Sequence, residues 1–365
     1  MIWLDITDPK YVLFFKEMIP SLSKLSPLLI TTRAGEGYSE CHNLLNLFGI
    51  EAHKIGSYGG NTKLGKLQAR MQRQEGFLKL FENIGKIPSL FITGASVEGV
   101  QCAYGLGIPV VNFADTPIAG HSFDLNLITI LSRLTLPLSD LVFRPFVVPS
   151  ECYEAMGLKR ENIHSYEFID VALWLKNLRA GEDFRKKLNA NLSLPTILVR
   201  EEEYKAHYVK EKLPIIYESI ALLSENVEAN IVIMPRYDSL ELKERFLGRK
   251  NVYILEEKLE PREFYPYIDL LIGGGGTMNL ESCYLGVPTI STRSLLLFHD
   301  MYLIENGLMI HTKTSEEVLS HTQRILSSFN PYKNRQILNF QTSLFERENA
   351  GFERIITQIK QRYKL

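Results

Sequence analysis

The stretch Asp269-Leu270-Leu271-Ile272-Gly273-Gly274-Gly275-Gly276-Thr277-Met278-Asn279-Leu280-Glu281-Ser282-Cys283-Tyr284-Leu285-Gly286-Val287-Pro288-Thr289-Ile290 decides the fold. Leu270–Ile272 reads as a short buried strand, the four glycines as a turn, and the residues from about Thr277 as a helix. Leu285-Gly286-Val287-Pro288 then stops the helix and leads into a second strand at Thr289–Ser291, which makes the whole a β-α-β unit. Glycines let the backbone approach a ligand closely and adopt dihedrals that other residues resist. The helix start offers unpaired amides and the positive end of the dipole, a combination that suits a diphosphate. Thr277 can add a hydroxyl donor or cap the helix. Glu281, about one turn further on, falls within reach of a ribose, whose two hydroxyls donate to a carboxylate. Each residue also has a plainer role: glycines for tight strand–helix packing, Thr277 as a cap alone, Glu281 as helix surface.

Outward from this unit, the same alternation of short apolar runs and longer amphipathic segments fills the chain, which is the pattern of parallel sheets covered by helices. In the first half the expected strands are Ile2–Ile6, Leu28–Thr32, Leu90–Ile92, Val110–Phe113 and Leu141–Phe143, with helices at Tyr11–Leu25 and at Glu40–Phe48, the latter stopped by Gly49. The second half restarts with Thr196–Val199, Ile231–Met234, Val252–Leu255, Leu270–Ile272 and Thr289–Ser291. The polar stretch Trp174–Asn191, containing Gly181, is the expected hinge, and Gln341 to Leu365 is expected to form one long helix. At 365 residues the chain is comfortable as two domains. The expected division is residues 1–180, residues 181–340, and a C-terminal helix over residues 341–365.

Composition narrows the function. Forty-one basic against 42 acidic side chains give a net charge of -1, which argues against a nucleic-acid polyanion as partner, since that needs clustered Lys and Arg. A small anion is not disfavoured, because one helix N-terminus and one Arg suffice for it. The four cysteines, Cys41, Cys102, Cys152 and Cys283, lack any CxxC spacing and read as small core residues, so neither a metal cage nor a disulfide framework is expected. Met1-Ile2-Trp3-Leu4-Asp5 lacks the features of a signal peptide and no apolar run is long enough for a bilayer, so a cytoplasmic location is expected.

The run Gly273–Ile290 resembles the C-domain signature of the GT-B superfamily, which includes nucleotide-sugar glycosyltransferases and the UDP-N-acetylglucosamine 2-epimerases. Asp5-Ile6-Thr7-Asp8-Pro9, Thr31-Thr32-Arg33, Phe48-Gly49-Ile50, Asn112-Phe113-Ala114-Asp115-Thr116, Leu134 to Asp140 and Arg200 to Tyr208 are similar to an uncharacterised prokaryotic family within it. The resemblance implies two Rossmann-like, doubly wound α/β domains with a cleft between them and a C-terminal helix crossing back to the first. It further implies that the amides of Gly275, Gly276 and Thr277, flanked by Gly274 and Met278, hold the diphosphate. Glu281 would hold the ribose, and Leu255, within Tyr253-Ile254-Leu255-Glu256, would present backbone groups to the base.

On activity the motifs divide. The epimerases carry acids in the N-domain loops and a histidine followed by Arg at the start of the C-domain. Here the first acid's place reads Thr93-Gly94-Ala95-Ser96, Asp115 matches the second, and the histidine's place reads Leu198-Val199-Arg200-Glu201. Removing a sugar proton needs a positioned base and acid, so a glycosyltransferase is the primary expectation. A nucleotide-sugar 2-epimerase or hydrolase and a non-catalytic nucleotide-sugar-binding protein are the alternatives. Asp115 is the expected base, with His121 as second choice. Arg200, with His207 nearby, would pair with the diphosphate. Asp115 could instead cap the turn at Thr116-Pro117, His121 could orient a loop, and Arg200 could pair with Glu201, Glu202 or Glu203. Asp5 and Asp8 are expected on the first loop, shaping the acceptor side. No cofactor or metal is expected, the nucleotide-sugar being a substrate. The acceptor (glycan, lipid-linked or small molecule) and the oligomeric state stay open. The glycine-rich Gly56–Lys66 segment reads as a lid carrying Lys63 and Lys66, or as a solvent loop. Ile128 to Val148 reads as core packing, with peripheral membrane contact as the other option.

Overall fold

The computed structural model describes residues 1–35, 39–60, 62–94, 96–202, 215–236 and 239–365. The chain divides into two compact units, Met1–Leu173 together with Glu346–Leu365, and Trp174–Phe345. Each is built on its own parallel sheet.

The first sheet comprises β1 (Ile2–Ile6), β2 (Leu28–Thr32), β3 (His53–Lys54), β4 (Leu90–Thr93), β5 (Val110–Phe113), β6 (Leu141–Pro145) and β7 (Ile163–Tyr166), in spatial order β3-β2-β1-β4-β5-β6-β7. The second comprises β8 (Thr196–Arg200), β9 (Asn230–Met234), β10 (Val252–Ile254), β11 (Leu270–Gly273), β12 (Thr289–Ser291) and β13 (Ile310–His311), ordered β10-β9-β8-β11-β12-β13. Both are doubly wound Rossmann-like sheets, and in both the strand order reverses once, between β1 and β4 and between β8 and β11. In such sheets ligands bind outside the carboxyl ends of the strands at that reversal. Strands buried on both faces read as near-continuous apolar runs, as in Leu270–Ile272, where every residue is buried.

One face of the first sheet packs Phe14, Phe15, Phe113, Phe143, Tyr166 and Phe168 into an aromatic core, to which Phe352, Ile355 and Ile359 of the C-terminal segment also belong. The other face packs Trp3 against Phe77, Phe81 and Phe91. The C-terminal segment is not the single helix expected over Gln341–Leu365. It forms two helices, Thr342–Phe345 and Glu353–Tyr363. Between them Asn349 and Gly351 adopt φ of 64° and 150°, and a helix cannot run through such residues.

Two further expectations change. Lys63 and Lys66 are not on a lid, because Thr62 accepts from the Gly65 amide at 3.0 Å and starts the helix Lys63–Ile84 there. Asn61 of that segment lies outside the described residues. Nor is Trp174–Asn191 a free linker. The Gly181 amide donates to the Arg262 carbonyl at 2.8 Å, Tyr267 donates to the Gly181 carbonyl, and Arg185 forks onto Asp183 within the second unit.

No helix among the described residues is long and apolar enough to cross a membrane. All four cysteines are free and buried. Burial pushes the thiols of Cys102 and Cys152 up to about 11 and those of Cys41 and Cys283 up to about 12. The thiolate is the reactive form, so near-complete resistance to a thiol-titrating disulfide reagent is expected in the native state at about pH 8. All four should react once the chain is unfolded. Because the folded thiols hold their protons more tightly than unfolded ones, stability should fall as pH rises from about 9 toward 11–12. Rapid titration of any one cysteine in the native protein would contradict this packing.

Candidate functional site

In the second unit, β11 ends at Gly273 and the turn Gly274-Gly275 opens directly into the helix Gly276–Tyr284. Gly275, not Thr277, is the N-cap, and Thr277 stands exposed in the first turn. No side chain caps this helix. The amides of Gly276, Thr277 and Met278 have no acceptor within the helix, which is the electrostatic condition for binding an anion.

The glycines matter here for space and not for unusual dihedrals, since none of the four has a positive φ. A Cβ on Gly273 would lie 1.9 Å from Asn279 Oδ1, and one on Gly274 would lie 2.7 Å from the Glu202 backbone nitrogen. The positions of a Cβ on Gly275 and Gly276 lie 3.3 Å from Arg236 Nη1 and 3.1 Å from Arg293 Nη1. Two guanidinium groups therefore flank the uncapped helix start. Arg236 follows β9 and Arg293 follows β12, so both come from the carboxyl edge of the sheet. Arg293 is held by Asp300 at 2.6 Å, and the same Asp300 oxygen accepts from the Leu297 amide at 2.8 Å.

Arg200 ends β8, as expected. Its guanidinium donates to the carbonyls of Met234 and Pro235, at 3.1 and 2.5 Å, and so ties the end of β8 to the end of β9. Its acidic neighbours have separate tasks. Glu201 accepts from Tyr217 at 2.5 Å and from the Arg236 amide at 2.8 Å, while Glu202 accepts from the amide and hydroxyl of Ser294. Glu203 and His207 lie outside the described residues.

Glu281 is buried rather than on the helix surface. One carboxylate oxygen accepts from the Trp174 indole at 2.9 Å and the other from the Tyr265 hydroxyl at 2.7 Å. Burial raises its proton affinity, and the two donors oppose that shift. Leu255 directly follows β10, and its amide is taken by the Ile233 carbonyl at 2.8 Å. What it can offer a base edge is therefore its carbonyl.

In the first unit the carboxyl edge carries a second polar cluster. Asp115 follows β5, and Lys10, in the first turn of the helix Pro9–Ser23, bridges it to Asp170, with Nζ 2.6 Å from Asp170 Oδ2. Burial alone would weaken the hold of Lys10 on its proton, but the Asp115 and Asp170 carboxylates keep it protonated well above the ordinary lysine range. The loop behind is fixed by Tyr11 donating to the Phe113 carbonyl and Tyr153 to the Ala114 carbonyl. The Asp115 carboxylate remains 27% exposed. His121 is exposed on the loop closed by the Ile118–Ile128 bridge.

Of the two aspartates expected on the first loop, Asp8 stands there and Asp5 does not. Asp8 caps the helix Pro9–Ser23 through the Lys10 amide at 2.8 Å. Asp5 lies inside β1, fully buried, and receives both Arg73 Nη atoms at 2.9 and 2.6 Å. Near the place of the missing epimerase acid, Ala95 lies outside the described residues. Glu98, three positions later, is buried and faces Arg33 and Arg73.

Sequence reasoning missed Lys10, Asp170, Arg236, Arg293, Trp174 and Tyr265. Arg236 and Arg293 had a readable signal, since each stands two residues past the end of a strand, where the loops of a parallel sheet gather.

Among solved structures, the chain is similar to a UDP-GlcNAc 2-epimerase from Methanocaldococcus jannaschii in complex with UDP-GlcNAc and UDP. The TM-score is 0.72 and the identity 20%, with 99% of each chain covered. It is also similar to the Neisseria meningitidis UDP-GlcNAc 2-epimerase bound to UDP-GlcNAc, with TM-score 0.71, 15% identity and 99% of each chain covered. A spinosyn rhamnosyltransferase complexed with thymidine diphosphate matches with TM-score 0.56 and 16% identity, over 90% of this chain and 92% of that one. These likenesses establish the GT-B-like fold. The uncharacterized protein MJ0665 of Methanocaldococcus jannaschii is 29% identical over 328 residues, 88% of this chain and 90% of that protein. The model of one family, the protein of unknown function DUF354, matches residues 1–347, and the chain belongs to that family.

Proposed function

We propose that the chain is a glycosyltransferase that takes a sugar from a nucleoside diphosphate donor, a UDP-sugar in the first instance, without a metal ion. The observation that carries this reading is the uncapped helix start at Gly276 with Arg236 and Arg293 beside it, at the reversal of the second sheet. The negative charge that builds on a departing diphosphate is what such amides and guanidinium groups stabilise. That structural neighbours were solved with UDP, UDP-GlcNAc or thymidine diphosphate supports the choice of ligand class.

In the reaction, the bond from the sugar's anomeric carbon to the diphosphate oxygen breaks and its electron pair leaves with the diphosphate. The acceptor oxygen bonds to that carbon, and its proton passes to the Asp115 carboxylate. Lys10 would hold that carboxylate in place.

A second reading, epimerisation at the sugar C2, is favoured by the fold neighbours that are 2-epimerases. Against it, the first carboxylate after the Thr93–Ser96 stretch in sequence, Glu98, is engaged by arginines, and β8 ends in Arg200 and not in a histidine.

The test begins with thermal shift against UDP, GDP, CDP, dTDP and their sugar conjugates, because a ligand that binds only the folded state raises the melting temperature by mass action. A clear rise with one diphosphate is expected, and no rise with any of them would defeat the reading. The sugar conjugate that binds is then incubated in heavy water. Diphosphate released only when an acceptor is added, with the sugar recovered on that acceptor, supports transfer; release without an acceptor, the sugar passing to water, would replace it with a hydrolase, and deuterium at C2 would replace it with the epimerase. If none of these occurs with any acceptor tried, and Asp115→Asn binds as the native protein does, a non-catalytic binding protein is left.

A further inference from the structure

The helix Lys63–Ile84 of the first unit is apolar on two sides. Its inner side, with Phe77, Leu80 and Phe81, packs into the core around Trp3 and Phe91. Leu64, Leu67, Met71 and Leu78 follow one another at steps of three, four and seven residues, which at 3.6 residues per turn line one outward stripe. The first three are 67%, 53% and 62% exposed. Single exposed leucines are ordinary on a protein surface, but a stripe of them marks contact with something else. The helices alongside are exposed in the same way. Gln74 donates to Gln101 at 3.1 Å, which joins this helix to Val97–Gly105, and that helix exposes Tyr104. The next one, Ile130–Thr135, packs beside it and exposes Ile130 and Leu131.

The charge around the stripe has one sign. Residues 52–74 contain no aspartate or glutamate, whereas Lys54 and Lys63 are exposed there and Lys66 and Arg70 half-buried. Glu75, next along the helix, is paired with Lys79 at 2.6 Å. On the neighbouring elements, Glu98 is buried against Arg33 and Arg73, and Asp124 accepts from the Asn126 amide at 2.8 Å. A second copy of the chain fits this face poorly, because an isologous dimer sets a patch against itself, and here lysine would meet lysine. A nucleic acid would engage the cations through its phosphates and leave the leucines in water. An anionic bilayer engages both kinds of side chain. Leucine and methionine enter the boundary with the acyl chains, while lysine and arginine reach the headgroups on their long stems.

We infer that the first two turns of the helix Lys63–Ile84, with Leu64, Leu67 and Met71 inward to the lipid and Lys63, Lys66 and Arg70 at the headgroups, dock the protein on an anionic membrane surface. The helix lies along such a surface and does not cross it, in keeping with the absence of a spanning helix among the described residues. The docking goes beyond the glycosyltransferase reading and does not depend on it.

The experiment is co-sedimentation of the full chain with vesicles of phosphatidylcholine alone and of phosphatidylcholine mixed equally with phosphatidylglycerol. Binding to the mixed vesicles and little to the neutral ones is expected, and added salt should weaken it. Combined Lys63→Gln, Lys66→Gln and Arg70→Gln should lower the partition coefficient by about 10- to 100-fold, at roughly fivefold for each charge near an anionic leaflet. Combined Leu64→Gln, Leu67→Gln and Met71→Gln should lower it by at least about tenfold, through lost apolar burial. All six positions lie away from the core, and circular dichroism checks that each variant folds. If one does not, the other still decides.

No binding to the mixed vesicles would overturn the inference, as would binding that neither variant reduces. Loss with the basic variant alone would also overturn it, since that is plain attraction to any polyanion. A dimer in sedimentation equilibrium that the apolar variant abolishes, without vesicle binding by the native protein, would assign the face to a second copy instead.

Discussion

Arg73→Met is expected to lower the stability of the first unit by about 3–5 kcal/mol, the usual cost of leaving a buried charge without its partner. Arg73 is fully buried. It forks onto Asp5, donates through Nε to the Ile55 carbonyl at 2.8 Å, reaches Ser96 at 3.3 Å, and lies over the Phe77 ring at 4.7 Å. Asp5 is equally buried and takes one more bond from Thr31, whose hydroxyl in turn receives the Trp3 indole. Without the guanidinium, Asp5 and Glu98 lose the cation they share, and among the described residues Arg33 still faces Glu98. Helix Lys63–Ile84 would also lose its polar anchor to β1.

Removing both charges should restore much of the loss, because a buried pair is often no more stable than apolar groups of similar volume. Asp5→Leu in the Arg73→Met background is the case to make. The measurement is a urea titration of both variants, following the transition that Trp3 reports. The two units need not unfold together, so a single transition is not assumed. A loss below about 1 kcal/mol for Arg73→Met would place this network among those of little energetic consequence.

The same network marks where sequence reading stops. Ile2–Ile6, Leu28–Thr32 and Val110–Phe113 have the same ends in the structure as their runs suggest, because a strand buried on both faces stays mostly apolar even where a paired polar residue such as Asp5 interrupts it. His53–Lys54 and Ile310–His311 were not foreseen, since two-residue edge strands carry no periodicity to read. The pairing of Asp5 with Arg73 spans 68 positions and depends on where the helix Lys63–Ile84 lies. For the same reason the local neighbours Glu201, Glu202 and Glu203 drew attention in the reading of Arg200, and its bonds to carbonyls at the end of the next strand were not foreseen.

The glycine turn was legible as a strand–turn–helix junction, but the reason for its glycines was not. Close approach by Glu202, Asn279 and two arginines is a property of the sheet order. The broken C-terminal helix is a different case, because Asn349-Ala350-Gly351 was a local signal of a left-handed turn that the amphipathic pattern around it concealed.

Arg293→Met is expected to weaken UDP binding by about 30- to 150-fold, the equivalent of roughly 2–3 kcal/mol for a charge-assisted hydrogen bond to phosphate. Arg293 is preferred to Arg200 for this role because of how each is held. Arg200 is spent on two backbone carbonyls, so Arg200→Met should cost folding stability and change UDP affinity far less. Arg293 is held by one carboxylate, Asp300, with its Nη1 3.1 Å from where a Cβ on Gly276 would lie. Asp300→Asn, which keeps the shape but not the charge, should therefore weaken UDP by a smaller factor, through looser aim. Arg293→Lys should fall between the native protein and Arg293→Met, since an ammonium keeps the charge and loses the planar fork.

The five affinities, of the native protein and the four variants, measured by calorimetry at one ionic strength and repeated at a higher one, give the ranking directly. Added salt should weaken the native protein more than Arg293→Met, because screening acts on a charge that the variant no longer has. If Arg200→Met loses more UDP affinity than Arg293→Met, the diphosphate lies toward β8 and β9 instead of under the strand that ends at Ser291. The assignment of the phosphate-binding arginine would then pass to Arg200.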